Sequence, residues 1–157
     1  MKTIASILLC GVMWVFVAGA AIAAPGSSGV SVMTACDSSP GRLDARARAL
    51  HGEIARRAAT ESLHRSGIAA RHRGGAHQLD VSVTRWRVAS AGGRSDVTAE
   101  IRIVVCDDTG RMLSIANGRA TISGRSAQLA ELREQAIAEG VGHLVARLGP
   151  QLARTSA

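Results

Sequence analysis

The sequence predicts an α+β domain: a two-layer sandwich of order β-α-β-β-β-α, with a mostly antiparallel, bulged sheet and two long helices on one face. A short β-branched run near residue 30 precedes a long stretch whose apolar residues recur at helical spacing. Three alternating apolar runs follow, and helical spacing then returns up to Leu148. The 157 residues suffice for one domain, which we place at 30–149, between a flexible tether at 24–29 and a frayed tail at 150–157.

The amino-terminal segment is predicted to direct export. A lysine, a continuous apolar run and small residues follow one another in the order of a secretory signal, so residues 1–23 are interpreted as a signal peptide. Cleavage is expected after Ala23, with Ala20 as the alternative. Leu9 precedes Cys10 where a lipidation site has Gly or Ala, which argues against a lipid anchor. We therefore expect a periplasmic or extracellular protein that does not span the membrane after processing.

The first strand and the first helix are marked by their boundaries. Val30–Cys36 has the β-branched residues of a short strand. Ser39 followed by proline is typical of a helix start, and Gly67 of a left-handed stop, so the helix is predicted at about Pro40–Ser66. One apolar stripe runs along it: Leu43, Ala47, Leu50, Ile54 and Ala58.

Three strands are predicted next, at Gln78–Ala89, Asp96–Cys106 and Arg111–Ser123. The apolar residues of the first of these change phase near Trp86, while those of the second alternate without a break. A bulge at Thr84-Arg85 restores the register and directs Trp86 into the core and Arg85 outward. The register then pairs Val83 with Ile101, Trp86 with Ala99, and Val88 with Val97.

The last strand also changes phase, between Ile115 and Ala120. An extra residue at Asn117-Gly118 would restore the register within one continuous strand, which we favour. An Asn-Gly hairpin with two short strands is the alternative. The final helix is predicted from Ser126, and Gly149-Pro150 is expected to end it.

Charge suggests an anion-binding surface on helix one. The net charge is +7, from 19 Lys and Arg against 12 Asp and Glu. An exported chain meets no nucleic acid, so we expect an anionic envelope polymer or an envelope protein as partner. Three acids stand four residues before an arginine, the favourable order for helix pairs: Asp44–Arg48, Glu53–Arg57 and Glu61–Arg65. The remaining arginines form either the anion site or a solvated face: Arg42, Arg46 and Arg56, joined by Arg71 and Arg73.

Cys36 and Cys106 are a candidate disulfide in an oxidising compartment. The bridge would close a loop of about 70 residues and contribute about 4 kcal/mol. The predicted topology, however, ends the two strands on the order of 20 Å apart. Because a disulfide needs Cα atoms within about 7 Å, the topology argues against the bridge.

No pattern in the chain predicts catalysis, a metal or a cofactor. His64, His72 and His77 have spacings that match no compact ligand motif. No metalloprotease, nucleophile-elbow, paired-cysteine or phosphate-loop motif occurs after residue 23. We therefore assign no catalytic residue and keep an exported hydrolase only as a distant alternative.

The face of the sheet opposite the helices is predicted to be polar and available to a partner, with Thr84 or Arg85, Arg87, Glu100, Arg102 and Arg119. The stretches AEIRIVVCDDTGRMLSIANGRATISG and LREQAIAEGVGHLVARL resemble small exported proteins of high-GC bacteria. The layout resembles the α/β domains of the lipopolysaccharide-assembly lipoprotein, the penicillin-binding-protein activators and the curli-secretion lipoprotein. The resemblance implies a non-catalytic envelope accessory or binding protein.

Overall fold

The computed structural model describes residues 29–68 and 75–154. The predicted signal peptide, its cleavage sites, Cys10, most of the tether, and Arg71 and Arg73 lie outside the described residues. The elements follow in the predicted order: β1 (Val30–Asp37), α1 (Ala45–Ser66), β2 (His77–Ala91), β3 (Arg94–Asp107), β4 (Met112–Arg125), a 3₁₀ turn (Ser126–Gln128) and α2 (Leu129–Arg154). The α+β class is therefore confirmed.

The four strands form one sheet in the order β1-β2-β3-β4. β1 runs parallel to β2 across α1, and the other neighbours are antiparallel. The predicted bulge is confirmed, because the β2–β3 register shifts between Val83 and Arg85. The three pairs predicted across these strands are the observed ones: Val83–Ile101, Trp86–Ala99 and Val88–Val97. Trp86 lies on the core side but is only partly buried.

β4 is one continuous strand, as favoured over the hairpin, but the predicted bulge at Asn117-Gly118 is wrong. The register shifts near Leu113 instead and runs evenly through Gly118. A Cβ at Gly118 would lie 2.9 Å from the Cδ2 atom of Leu144, so the glycine allows α2 to approach the sheet. As a consequence, Ile115 faces solvent and is 48% exposed.

α1 begins five residues later than predicted. Asp44 is its N-cap, and its carboxylate accepts a hydrogen bond from Ala47 N at 2.6 Å. Ser39 does not cap the helix, because it is buried and its hydroxyl donates to Asp37 instead. The predicted end is confirmed: Gly67 has φ 65°, in the left-handed region that favours glycine.

α2 continues through Pro150 to Arg154, so the predicted stop at Gly149-Pro150 is wrong. Proline removes one backbone donor and usually breaks a helix. Here the additional turn buries Leu152, which is 4% exposed and belongs to the same apolar cluster as Leu148. This burial offsets the loss of the hydrogen bond.

Both helices cover the same face of the sheet and run in the same direction. Ser62 of α1 lies beside Gly142 of α2, and Ile68 after α1 lies beside Gly149, so residue numbers rise together along both helices. The core between the layers consists of small and branched aliphatic residues from all four strands and both helices. Within the described part of the chain, no helix is both long and apolar enough to cross a bilayer.

Candidate functional site

The face of the sheet opposite the helices carries a cluster of arginines around one carboxylate. We call this the arginine cluster: Arg85, Arg87, Arg102 and Arg119 around Glu100. In the register, Glu100 of β3 lies between Arg85 of β2 and Arg119 of β4. Both helices pack on the other face, so no described element covers these side chains.

The β2 bulge creates this arrangement. Thr84 is the extra residue, and its hydroxyl donates to the carbonyl oxygen of Glu100 at 3.2 Å. Beyond it the alternation of β2 is inverted, which turns Arg85 and Arg87 outward and Trp86 inward. The sequence predicted this face correctly, because the change of apolar phase is visible in the residues themselves.

Glu100 orients the cluster without neutralising it. Its carboxylate lies 3.1 Å from Arg87 Nη2 and 3.8 Å from Arg85 Nε. Arg102 Nε donates to Asn117 Oδ1 at 3.1 Å. Solvent-exposed ion pairs of this kind contribute only about 0–1 kcal/mol to stability. Four guanidinium groups against one carboxylate leave the cluster with a positive excess that an external anion can meet.

A shallow groove of about 400 Å³ lies within the cluster. Gly118 in the middle of β4 borders this groove, and its walls include Arg102, Arg119 and Glu100. Guanidinium groups bind carboxylate, sulfate and phosphate through paired N–H donors. The groove therefore has the chemistry of an anion subsite on an open surface.

The structure does not bring the predicted helix-one arginines together. Arg42 precedes α1 and Arg46 lies in its first turn, and both are exposed. Arg56 stands ten residues further along, about 15 Å at the helical rise. Its Nε is 4.0 Å from the Glu53 carboxylate, so Arg56 is not free of an acid partner as predicted.

The predicted Asp44–Arg48 pair is also wrong. Asp44 caps the helix, and Arg48 reaches back to the β1–α1 connection. Its guanidinium donates to three backbone carbonyl oxygens, those of Asp37 (3.1 Å), Ser39 (2.8 Å) and Gly41 (3.0 Å). Arg48 therefore stabilises a loop, a role that helical spacing alone does not reveal.

Cys36 and Cys106 are both free. Cys36 lies across from Ser82 and Cys106 across from Gln78. Four residues of β2 and two strand spacings separate them, about 16 Å in all. This separation exceeds the reach of a disulfide without movement of the backbone.

A second polar cluster, centred on Asp37 at the end of β1, was not predicted. The Asp37 side chain is fully buried. One carboxylate oxygen accepts hydrogen bonds from Ser39 N (2.9 Å) and Ser39 Oγ (2.5 Å). The other accepts from His51 Nδ1 (2.7 Å) and Trp86 Nε1 (3.1 Å). We call these four residues the Asp37 cluster.

Burial by itself raises the pKa of the Asp37 carboxyl, because it disfavours the charged form. The hydrogen bonds from the Ser39 side chain, His51, Trp86 and the Ser39 amide together outweigh burial. The pKa of Asp37 therefore lies below its ordinary value, and the carboxylate is charged inside the protein.

The Asp37 cluster contains Ser, His and Asp, but their geometry is not that of a nucleophile and base. The Ser39 hydroxyl donates to Asp37 and not to His51. Asp37, Ser39 and His51 are each at least nine-tenths buried, so no substrate reaches them. The cluster instead joins β1, α1 and β2. A Trp N–H group directed into the core requires an acceptor, and this requirement of Trp86 was the one signal in the sequence that pointed to the Asp37 cluster.

α2 adds a cation to this end of the molecule. The guanidinium carbon of Arg133 lies 5.8 Å from the Trp86 ring centroid, and the His51 ring lies 5.1 Å from it on the α1 side. Arg133 Nε is buried and has no hydrogen-bond partner among the described residues. The π-face of Trp86 therefore provides an electrostatic contact for the Arg133 guanidinium.

Among residues 29–68 and 75–154, no three side chains of His, Cys, Asp or Glu converge as metal ligands would. His64 and His77 lie in different elements, and His72 is outside the described residues.

No protein-family model matches this sequence, and no curated protein sequence matches it. The solved structures to which this chain is similar include the following three crystal structures. A lipoprotein of Caulobacter crescentus is 14% identical with a TM-score of 0.50, covering 83% of this chain and 92% of that one. The PelC dodecamer of Paraburkholderia phytofirmans is 21% identical with a TM-score of 0.47, covering 75% and 89%. A minor lipoprotein of Acinetobacter baumannii is 13% identical with a TM-score of 0.48, covering 83% and 93%. At these identities, what the chain shares with the Caulobacter lipoprotein is its fold.

Proposed function

We propose that this chain is a non-catalytic, exported envelope protein that binds an anionic partner through the arginine cluster. The observation that carries the proposal is the placement of four guanidinium groups around one carboxylate on a sheet face that no described element covers. In a two-layer domain the helices cover one face of the sheet, and an antiparallel sheet can leave the other face open to solvent.

Export is proposed from the apolar segment within residues 1–23, which has the order of a secretory signal. The fold likeness to a bacterial lipoprotein is compatible with an envelope location. The expected mature protein begins at Ala24 and has no acyl group, because Leu9 stands before Cys10. Intact mass spectrometry of the periplasmic fraction checks this. A diacylglyceryl mass on Cys10 would contradict it.

A non-catalytic role is proposed from the chemistry of the two clusters. The arginine cluster offers donors and a positive field, and its one carboxylate, that of Glu100, is paired with Arg85 and Arg87. The Asp37 cluster has Ser, His and Asp, but they are buried and bonded to one another. The arrangement therefore supports binding and not turnover.

The helix-one arginines are the second candidate surface. Arg42 and Arg46 are exposed near the start of α1, so they remain available to an anionic polymer. Arg56 stands apart from them and beside Glu53. A site limited to two exposed arginines has less charge than the arginine cluster, so the sheet face is the first choice.

The test uses fluorescein-labelled dextran sulfate as a model anion and neutral dextran as its uncharged counterpart. Replacing Arg85, Arg87 and Arg119 together by Gln should weaken binding about tenfold or more and flatten its salt dependence. Replacing Arg42, Arg46 and Arg56 by Gln removes the same number of charges and serves as the matched control. We expect it to change binding less than about twofold.

Equal losses in the two triple variants would show that only net charge matters and would overturn the proposed site. A loss confined to the helix-one variant would transfer the function to α1. Circular dichroism should show both variants folded, because the three arginines of each set make only exposed ion pairs.

A further inference from the structure

β4 is an edge strand of 14 residues that pairs with β3 and with no other described strand. Long open edges are templates for another strand, and proteins commonly block them with proline, with short length or with a covering element. β4 contains no proline, and its register shift lies at its beginning, near Leu113. The rest of the strand is regular.

The phase of the β3–β4 ladder shows which backbone groups face outward. Ser126 N donates to Gly93 O at 3.0 Å, one step beyond the Arg94–Arg125 pair. Hydrogen-bonded pairs alternate along an antiparallel ladder, so Gly118 and the other even-numbered residues of β4 bond to β3. The odd-numbered residues direct their N–H and C=O groups away from the sheet, and beyond the register shift near Leu113 they are exposed: Ile115, Asn117, Arg119, Thr121, Ser123 and Arg125.

Two grooves meet at the middle of this edge. The groove of the arginine cluster lies on one side, and a second groove of about 610 Å³ lies between β4 and α2 on the other. Both include Gly118 and Arg119. The backbone of Gly118 borders both grooves, and Leu144 packs against it on the α2 side.

The positive charge along the β4 edge favours an acidic strand as its binding partner. The groove beside α2 contains Arg119, Arg147 and His143, and no acid is among the described residues that form it. β4 itself has Arg119 and Arg125 and no Asp or Glu. A second copy pairing through β4 would add two further arginines to an edge strand that has no Asp or Glu of its own. A strand that carries carboxylates meets cations on both of its faces.

We propose that the free edge of β4 is a strand-addition site for an extended acidic segment of a partner protein. This inference rests on the proposed function and names the class of its anionic partner. Backbone hydrogen bonds to the odd-numbered residues would hold the added strand, and its acidic side chains would reach Arg119 on the open face or Arg147 beside α2.

Thr121 allows a direct test. Thr121→Pro removes one outward N–H and leaves the ladder to β3 intact, and edge strands tolerate proline when that N–H faces solvent. Thr121→Val is the matched control, because both variants lose the hydroxyl that lies 2.8 Å from Thr98 Oγ1. The probe is a fluorescein-labelled, N-acetylated and amidated ten-residue peptide of alternating Glu and Val, and binding is followed by anisotropy.

We expect Thr121→Pro to weaken peptide binding about tenfold, the value of one backbone hydrogen bond, and Thr121→Val to change it less than about twofold. Neither should alter the binding of dextran sulfate, which has no peptide groups. A peptide N-methylated at alternate residues should lose affinity for the unaltered protein, and this measurement does not depend on the folding of a variant.

Equal binding of the methylated peptide and unchanged affinity in Thr121→Pro would overturn strand addition while the arginine cluster kept its proposed role. Dextran sulfate binding without peptide binding would also overturn it and leave a polymer as the partner. A dimer in sedimentation that Thr121→Pro dissociates would assign the edge to a second copy, against the inference. If neither probe binds, the proposed function fails together with it.

Discussion

Asp37→Asn is the substitution whose effect follows most directly from the structure. Asparagine keeps the shape of the side chain but has one acceptor oxygen where the carboxylate has two. If that oxygen keeps the two bonds from Ser39, the new NH₂ group faces His51 and Trp86. His51 can change tautomer and accept, but the Trp86 N–H can only donate and loses its partner.

A donor left without an acceptor in the interior costs about 1–3 kcal/mol, and the remaining bonds lose the assistance of the charge. We therefore expect Asp37→Asn to lower the free energy of unfolding by about 2–4 kcal/mol at pH 7, measured by urea denaturation with far-UV circular dichroism. Asp80→Asn is the control. The Asp80 carboxylate accepts one exposed hydrogen bond, from Thr34 Oγ1. Replacing this carboxylate by an amide should lower the free energy of unfolding by less than about 0.5 kcal/mol.

The pH dependence of this difference has a definite direction. The pKa of Asp37 is lower in the folded protein than in the unfolded chain, so its contribution is present above the unfolded value of 3.8. The contribution is lost as the pH falls through the folded pKa. The difference between wild type and Asp37→Asn should thus be constant from about pH 5 to 7 and shrink below about pH 4. A cost under about 1 kcal/mol at pH 7, or one that persists unchanged in acid, would refute this account of the cluster.

Three further predictions concern local features. Gly52→Ala should destabilise the protein by about 1–3 kcal/mol, because the new Cβ would lie 2.9 Å from the β1 backbone. Gly142→Ala has room for the Cβ and should stabilise the protein by up to about 1 kcal/mol through helix propensity. Urea titrations of both variants compare the two effects, and equal effects would contradict the close approach at Gly52. Asp44→Ala should lower the free energy of unfolding by about 1 kcal/mol in the same assay, because the helix loses its N-cap. An unchanged free energy of unfolding would contradict Asp44 as the N-cap of α1. Nuclear magnetic resonance titration should find the pKa of Asp107 at about 2, held down chiefly by the hydroxyl of Thr109, and a value near 3.8 would exclude that turn geometry.

Much of the sheet was predictable because the bulge in β2 changes the alternation of apolar residues, and this change is visible in the sequence. The alternation of β3 is unbroken, so the phase change near Trp86 in β2 could be interpreted only as an extra residue. That interpretation gave the register pairs and the outward face with Arg85 and Arg87. The same argument failed in β4, because Gly118 serves close packing by Leu144 and not a change of register.

The errors at the helix ends share one physical cause. Ser39 and Asp44 are both good N-caps by residue type, and only the bonds of Ser39 to Asp37 decide between them. Likewise, Pro150 stays within α2 because Leu152 is buried. Such outcomes depend on contacts between elements far apart in the chain, which local patterns do not contain. The outward backbone groups of β4 depend on strand order for the same reason.

Because the two helices run in the same direction, the domain has an electric dipole from its backbone in addition to the charges of its side chains. Each helix carries an axial dipole equivalent to roughly half a positive charge at its amino end and half a negative charge at its carboxyl end. Neighbouring antiparallel helices cancel these fields, but here they add, because His51 near the start of α1 and Arg133 near the start of α2 meet the same Trp86 ring. A negatively charged group placed at the Asp37 end of the domain would therefore meet the amino-terminal ends of both helices, and the effect would be confined to their first turns.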